Sequence, residues 1–222
     1  MNATILKNDL ESDISNRMAN LTTIRTMSSR YSFSDNDIAA WTRCAFPIIY
    51  AEWEGFFVHA IEIYIGKINE IGLVLDDLHP NYLVRNTEKK FKQLKDYPDL
   101  PYKKYTFLNN LMTYFRNTNP ISLETDVNTE SNLGFKVLNN ILKLLNLEEI
   151  KDHINDDDYS LQNETDRFLL NKRNGIAHGD PSSTITSDDI TKAIKLVETL
   201  MNLTKDSIVK GYEIECFKNS SI

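Results

Sequence analysis

An arginine and a histidine stand five residues apart in Arg173-Asn174-Gly175-Ile176-Ala177-His178-Gly179-Asp180-Pro181, with an asparagine directly after the arginine. These residue types suit one chemistry: cutting RNA without a metal. RNA carries its own nucleophile, the 2'-hydroxyl. The enzyme must then supply a group that moves protons and a cation that holds the charge of the phosphorane-like transition state. Histidine serves the first task near neutral pH. The planar, permanently charged guanidinium serves the second. One histidine must act as base and then acid, or share the work with the histidine of a second copy across a twofold axis.

The segment reads as the end of a helix, since Gly179 and Pro181 are stop signals. At 100° per residue, Asn174 and His178 are four positions apart and share a face, so Asn174 is expected to bond the His178 ring and fix its tautomer. Arg173 lies about 140° round the helix from His178, and only its length lets it reach the same pocket. The spacing alone is weak, because a histidine at a helix end is also an ordinary C-terminal cap.

The elements that must hold this segment read as helices. Seven glycines and six prolines in 222 residues leave long uninterrupted stretches with helical spacing. A first helix is expected over residues 5–29, with Ile14, Met18, Leu21 and Arg25 near one stripe. Ser34 or Asp35 caps a second, long helix whose inner face uses Ile38, Trp41, Ala45, Ile49, Trp53, Phe56, Phe57, Ala60 and Tyr64. Pro47 should kink or split it. Further helices are expected over 84–95, 105–115 and 132–145, with a polar loop over 117–129 and a short extended piece at 120–123. Ser160 opens the helix that leads to Arg173. Thr186 and Asp189 form a capping box for the last helix, and the tail after Cys216 is expected to fray. The whole is an all-α, multihelical bundle in one domain spanning residues 1–222, with the first helix packed on a core at about 35–210 and a polar, basic insertion around 78–130.

Composition narrows the partners. With a net charge of -7 the chain is no general nucleic-acid binder, so any RNA contact must be local. The locally basic stretch is Arg85 to Lys104, with Tyr82, Phe91, Tyr97, Tyr102 and Tyr105 interleaved. Arg85, Lys89 and Lys92 are its RNA-contact candidates, against the alternative of a solvated helix face over core aromatics. Cys44 and Cys216 read as two buried thiols of a reducing cytoplasm. The start of the chain has no secretory pattern, and the apolar stretch 46–65 is broken by Glu52, Glu54, His59 and Glu62, which excludes a membrane span. His59, His79 and His153 have no zinc-ligand spacing, and Asp156-Asp157-Asp158 is read as a polar loop. No metal or cofactor is expected.

The segment Leu170 to Gly179 resembles the signature of HEPN domains, Arg-x(4–6)-His with Asn after the Arg. Upstream, Tyr50-Ala51-Glu52-Trp53-Glu54-Gly55-Phe56 resembles the YAxWEGF helix of one branch of that family, and Ser131-Asn132-Leu133 before an amphipathic helix is similar to the same branch. The resemblance covers about residues 35–200. It implies a helical bundle that dimerises, with Arg and His lining a cleft at the interface. It makes Arg173 and His178 catalytic and Asn174 their polar support. Gly175 would leave space near the site, and Ile176 and Ala177 would face the core. Glu54 and Tyr50 are supporting candidates. Glu54 orients Arg173 or a proton, or is a solvated or arginine-paired glutamate; Tyr50 stacks on a base, or is a core tyrosine. Many HEPN proteins are metal-independent RNases of toxin–antitoxin or phage-defence systems, which implies an antitoxin or other defence protein as partner. Others are non-catalytic adaptors that bind a protein or a nucleotide.

Overall fold

The computed structural model of the chain describes residues 3–130, 132–153 and 159–219. Among these it is built of helices and contains no sheet. Three long helices form its frame: α1 (Ala3–Arg30), α2 (Asp35–Asn69) and α8 (Ser187–Glu213), each packed on the other two. Local chemistry sets where they begin. The Ser34 hydroxyl accepts from the Asp37 amide, and the Asp37 carboxylate accepts from the Ser34 amide, so the expected cap is a full capping box. Thr186 and Asp189 do the same for α8.

Pro47 does not split α2, which runs unbroken from residue 35 to 69. A proline inside a helix costs about 3 kcal/mol. On both sides of it Phe46, Ile49, Tyr50 and Trp53 are at most 1% exposed, and their burial at roughly 2 kcal/mol each outweighs that cost. One core cluster gathers Leu6, Leu10 and Leu21 of α1, the inner face of α2, and Val197, Leu200 and Met201 of α8. Arg25, expected near the α1 stripe, is exposed.

Between α2 and the candidate segment lie α3 (Pro80–Lys90), α4 (Pro101–Phe115) and α5 (Phe135–Leu144). The helix expected over 84–95 starts earlier, because Pro80 occupies its first turn and His79 caps it. Leu75, Phe91, Phe107 and Tyr114 form a second, smaller core. The described residues from 117 to 134 return across the molecule without helix or strand. They are tied down by single side chains: Asn69 both donates to the Leu123 carbonyl (2.9 Å) and accepts from its amide (2.7 Å). The helix expected from 132 begins only at Phe135, since the Leu133 and Gly134 amides bond to the Tyr50 hydroxyl and the Asn132 carbonyl instead.

Ser160 caps the next helical run, which passes from α6 (Leu161–Asn163) through a π-helical turn, Glu164–Leu170, into α7 (Asn171–Ala177). The wider π turn adds a residue relative to α-geometry and re-aims the side chains beyond it. From this turn Asp166 Oδ1 accepts the Phe135 amide at 2.8 Å, against Gly134, where a Cβ would lie 2.8 Å from that oxygen. Residues 217–219 do not fray as expected, and residues 220–222 of the expected frayed tail lie outside the described residues. Phe217 is fully buried, its carbonyl accepts from the His79 amide, and the Asn219 amide donates to the Asp77 carbonyl. Both cysteines are free; Cys216 is partly buried, but Cys44 is exposed rather than buried.

Candidate functional site

Arg173, the third residue of α7, meets groups from two other parts of the fold. Its Nη1 donates to Asn174 Oδ1 at 2.8 Å and to Asn132 Oδ1 at 3.2 Å. Its guanidinium carbon lies 4.6 Å from the centroid of the Tyr50 ring, a cation–π contact. Tyr50 comes from α2 and is 1% exposed. Its hydroxyl accepts the Leu133 amide at 2.6 Å. One turn on, Glu54 accepts from the Thr129 hydroxyl at 2.7 Å. Tyr50 and Glu54 thus fix Leu133 and Thr129, and Asn132 beside Leu133 reaches the arginine. Burial, reinforced by the Glu54 charge, pushes the Tyr50 hydroxyl up to about 12, against the lowering effect of the Leu133 hydrogen bond and the Arg173 charge.

Of the supporting residues, Asn174 and Glu54 have partners that differ from expectation, while Tyr50 is the core tyrosine of its two alternatives. The oxygen of Asn174 holds Arg173 and not the His178 ring, because the guanidinium beside it in sequence is the nearer donor. Tyr50 is closed to a nucleobase, being buried beneath Arg173. Asn132, Thr129 and the Leu133 amide are not among the expected site residues; the Ser131-Asn132-Leu133 resemblance is the sequence signal for Asn132 and Leu133, Thr129 has none, and Ser131 itself lies outside the described residues.

His178 is the C-cap of α7 and exposed, its amide donating to the Asn174 carbonyl at 2.9 Å. Gly179 then takes a left-handed conformation (φ +75°), which turns the chain back along α7. The returning loop fills the space that Gly175 was expected to leave open: a Cβ there would lie 2.2 Å from Ser183 Oγ. Ile176 is partly buried against the core, as expected, but Ala177 is exposed, since the helix ends before its face turns inward. Asp180 is turned into this loop. Hydrogen bonds from the Ser182 amide and hydroxyl, with one from Ser183, hold its carboxyl below the usual range. Arg43 of α2 donates to the carbonyls of Ser183 (2.7 Å) and Asp180 (2.8 Å), and Thr42 donates to that of Ile185 (2.8 Å). Neighbouring residues of α2 thus position both the arginine and the turn behind the histidine.

The contact to Leu133 gives a first prediction. Tyr50→Phe keeps the ring under Arg173 but leaves a buried amide without its acceptor, a loss of about 1–3 kcal/mol. Thermal unfolding should show a Tm about 5 °C lower, at roughly 2–4 °C per kcal/mol for a chain of this size. Unfolded tyrosines ionise near pH 10, whereas folded Tyr50 holds its proton to about 12. The stability from this proton is complete below pH 10 and falls as pH rises from 10 towards 12, and in the phenylalanine variant this component should vanish.

The basic candidates divide. Arg85 is 6% exposed and donates to the carbonyls of Glu124 (2.5 Å) and Asp126 (2.8 Å), which makes it an anchor of the returning segment and not a surface contact for RNA. Burial lowers its pKa. Lys89 is paired with the Asp126 carboxylate at 2.6 Å. Lys92 is exposed and borders, with Lys95, a groove of about 700 Å³ whose rim also carries Glu88, Glu124 and Asp126. The groove is therefore of mixed charge and not a basic track.

Among the described residues no three histidine, cysteine or carboxylate side chains gather as a metal site would require. Asp156 to Asp158 lie outside the described residues. His59 bonds to Asp13, His153 pairs with Asp152, and His79 caps α3. No helix among the described residues is long and apolar enough to cross a membrane.

Comparison with curated proteins and with solved structures finds no match. Comparison with protein families matches residues 6–217, nearly the whole length, to the family described as HEPN_MAE_28990-like HEPN. An all-α bundle in which α2 and the 129–133 segment hold an arginine on the helix that His178 closes accords with that match, and the chain belongs to the MAE_28990-like HEPN family.

Proposed function

We propose that the chain is a metal-independent endoribonuclease and that Arg173 and His178 do the chemistry. Domains of the HEPN type are often ribonucleases. The observation that carries the reading is the holding of Arg173. Among the described residues its hydrogen bonds to Asn132 and Asn174 both use Nη1, which leaves Nη2 and Nε as a two-pronged edge for a phosphate. A cation so fixed needs little reorganisation when charge develops on the phosphorane.

His178, exposed at the helix end, takes the proton from the 2'-hydroxyl. The 2'-oxygen bonds to phosphorus and the bond from phosphorus to the 5'-oxygen breaks. The leaving oxygen receives a proton from an imidazolium, and the products are a 2',3'-cyclic phosphate and a 5'-hydroxyl. Arg173 turns inward over Tyr50 while His178 caps the far end of α7, a separation that favours a site completed by a second copy. We place Arg173 of one protomer and His178 of the other about one phosphate, with Asn174 as the support of the arginine. The biological role that suits such an enzyme is the toxic effector of a toxin–antitoxin or phage-defence system.

The test is cleavage of end-labelled RNA in EDTA. Wild type should cut and leave a cyclic phosphate; His178→Ala should be slower by about 100-fold or more. Equal rates would remove the histidine from the chemistry. Absence of cleavage by both, with RNA or nucleotide still bound, would favour the adaptor reading.

A further inference from the structure

From the second small core we infer that the outward face of α4 is the docking surface for an acidic, amphipathic segment of a partner protein. This surface makes no use of Arg173 or His178. Of the fifteen residues of α4 only Phe107 and Tyr114 are buried. The opposite side of the helix is apolar too: Tyr105 is 75% exposed, Leu108 45%, Met112 50% and Phe115 50%. Their spacing of three, four and three residues makes one continuous stripe. A lone exposed apolar side chain is ordinary, but a stripe of four on one helix face marks an interaction site. Beside it Phe115, Val84 and Leu94 line an apolar groove of about 340 Å³, with Glu88 on its border. Such a stripe and groove receive the i, i+3, i+7 anchors of an amphipathic helix.

Charge selects the occupant. Between Asp99 and Glu124 the chain carries Lys103, Lys104 and Arg116 and no carboxylate, although it holds 32 acidic residues in all. Lys90 adds a further cation, 4.9 Å from the centre of the Tyr114 ring. On the helix Lys104 and Arg116 flank the apolar stripe on either side, while Lys90 and Lys103 stand toward the Phe107 and Tyr114 side, so the cations bordering the stripe are unopposed by any carboxylate of α4 itself. A second copy of the chain is a poor occupant, because a twofold contact would set this basic helix on itself. RNA is a poor occupant as well, because Leu108 and Met112 offer hydrocarbon where phosphates would lie. An acidic segment with apolar anchors meets both features.

The probe is a library of random 16-residue peptides displayed on phage, panned on the full chain. The expected winners carry apolar residues at spacings of three and four and an excess of Asp and Glu. Their synthetic versions should protect the amides of α4 from hydrogen exchange. Binding should weaken at least 10-fold in a Leu108→Lys, Met112→Lys double variant whose circular dichroism and Tm match wild type. If the double variant does not fold, protection of α4 by the peptide in the wild type, and its loss when Glu and Asp of the peptide become Gln and Asn, decides. The inference is overturned if the winners are uncharged or basic, or if they protect segments other than α4. It is also overturned if α4 is protected only by vesicles of phosphatidylglycerol, which would make it a membrane face. Protection that depends only on protein concentration would make it a self-contact and overturn it too.

Discussion

Arg173→Lys should lower the rate of RNA cleavage by about 100-fold, although it keeps the positive charge. The wild-type guanidinium is engaged on two sides, Nη1 by Asn174 and Asn132 and the flat face by the Tyr50 ring, and the proposed site uses its remaining edge for phosphate. Lysine offers one compact ammonium. It can sit between the two asparagine oxygens or meet a phosphate, but it cannot present two parallel donors while being held from behind. Removing one preorganised donor from a developing oxyanion costs about 10²–10³ in kcat. The loss should fall on kcat more than on KM, because charge on the phosphate grows in the transition state. Asn132→Ala should fall between wild type and Arg173→Lys, since the arginine keeps its fork and loses one guide. Single-turnover rates for the three proteins check this. A lysine variant within threefold of wild type would mean that Arg173 is a structural residue and that the phosphate is held elsewhere.

How much of this site is legible in the sequence depends on how far apart its parts lie along the chain. The capping boxes of Ser34 with Asp37 and Thr186 with Asp189 are legible because both partners fall within one turn. The end of α7 is legible for the same reason: His178, Gly179 and the stop belong to one short segment. Asn132 is different. Its place beside Arg173 depends on a hydroxyl of α2 capturing the Leu133 amide and on Glu54 capturing Thr129, bonds that span 83 and 75 residues. Single side-chain bonds of this kind leave no periodic trace. The role of Asn174 is misread for a subtler reason. Position on a helical wheel fixes which face a residue shares, but not which of two neighbours its amide will take. The π turn before α7 has no composition of its own, and it shifts every facing beyond it. Pro47 shows the converse, a local rule overridden by the packing on either side of it.

Arg85 is where composition and position diverge most, and Arg85→Ala should be among the most destabilising single changes outside the main core. A run of cations reads alike in sequence whether it faces water or lies buried on carbonyls. Here the guanidinium is 6% exposed and serves two carbonyls, those of Glu124 and Asp126. Hydrogen bonds from a charged donor contribute about 1.5–3 kcal/mol each, and truncation would leave both acceptors to partial solvation. The expected loss is about 2–4 kcal/mol, less than the sum of the two bonds because water can enter this groove edge. That corresponds to a fall in Tm of roughly 5–12 °C. The loss has a place as well as a size: hydrogen exchange should quicken over 121–130, the segment that Arg85 ties to α3. Because that segment leads to Thr129 and Asn132, the hold on Arg173 should slacken too, and cleavage should slow even though Arg85 is itself buried on the Glu124 and Asp126 carbonyls. Lys92→Ala makes the control. Lys92 is exposed, so its loss should leave Tm within about 1 °C, the usual range of a surface change. Were Arg85→Ala instead to keep its Tm and weaken RNA binding with a reduced salt dependence, the buried guanidinium would be a phosphate contact and the anchor role would fall.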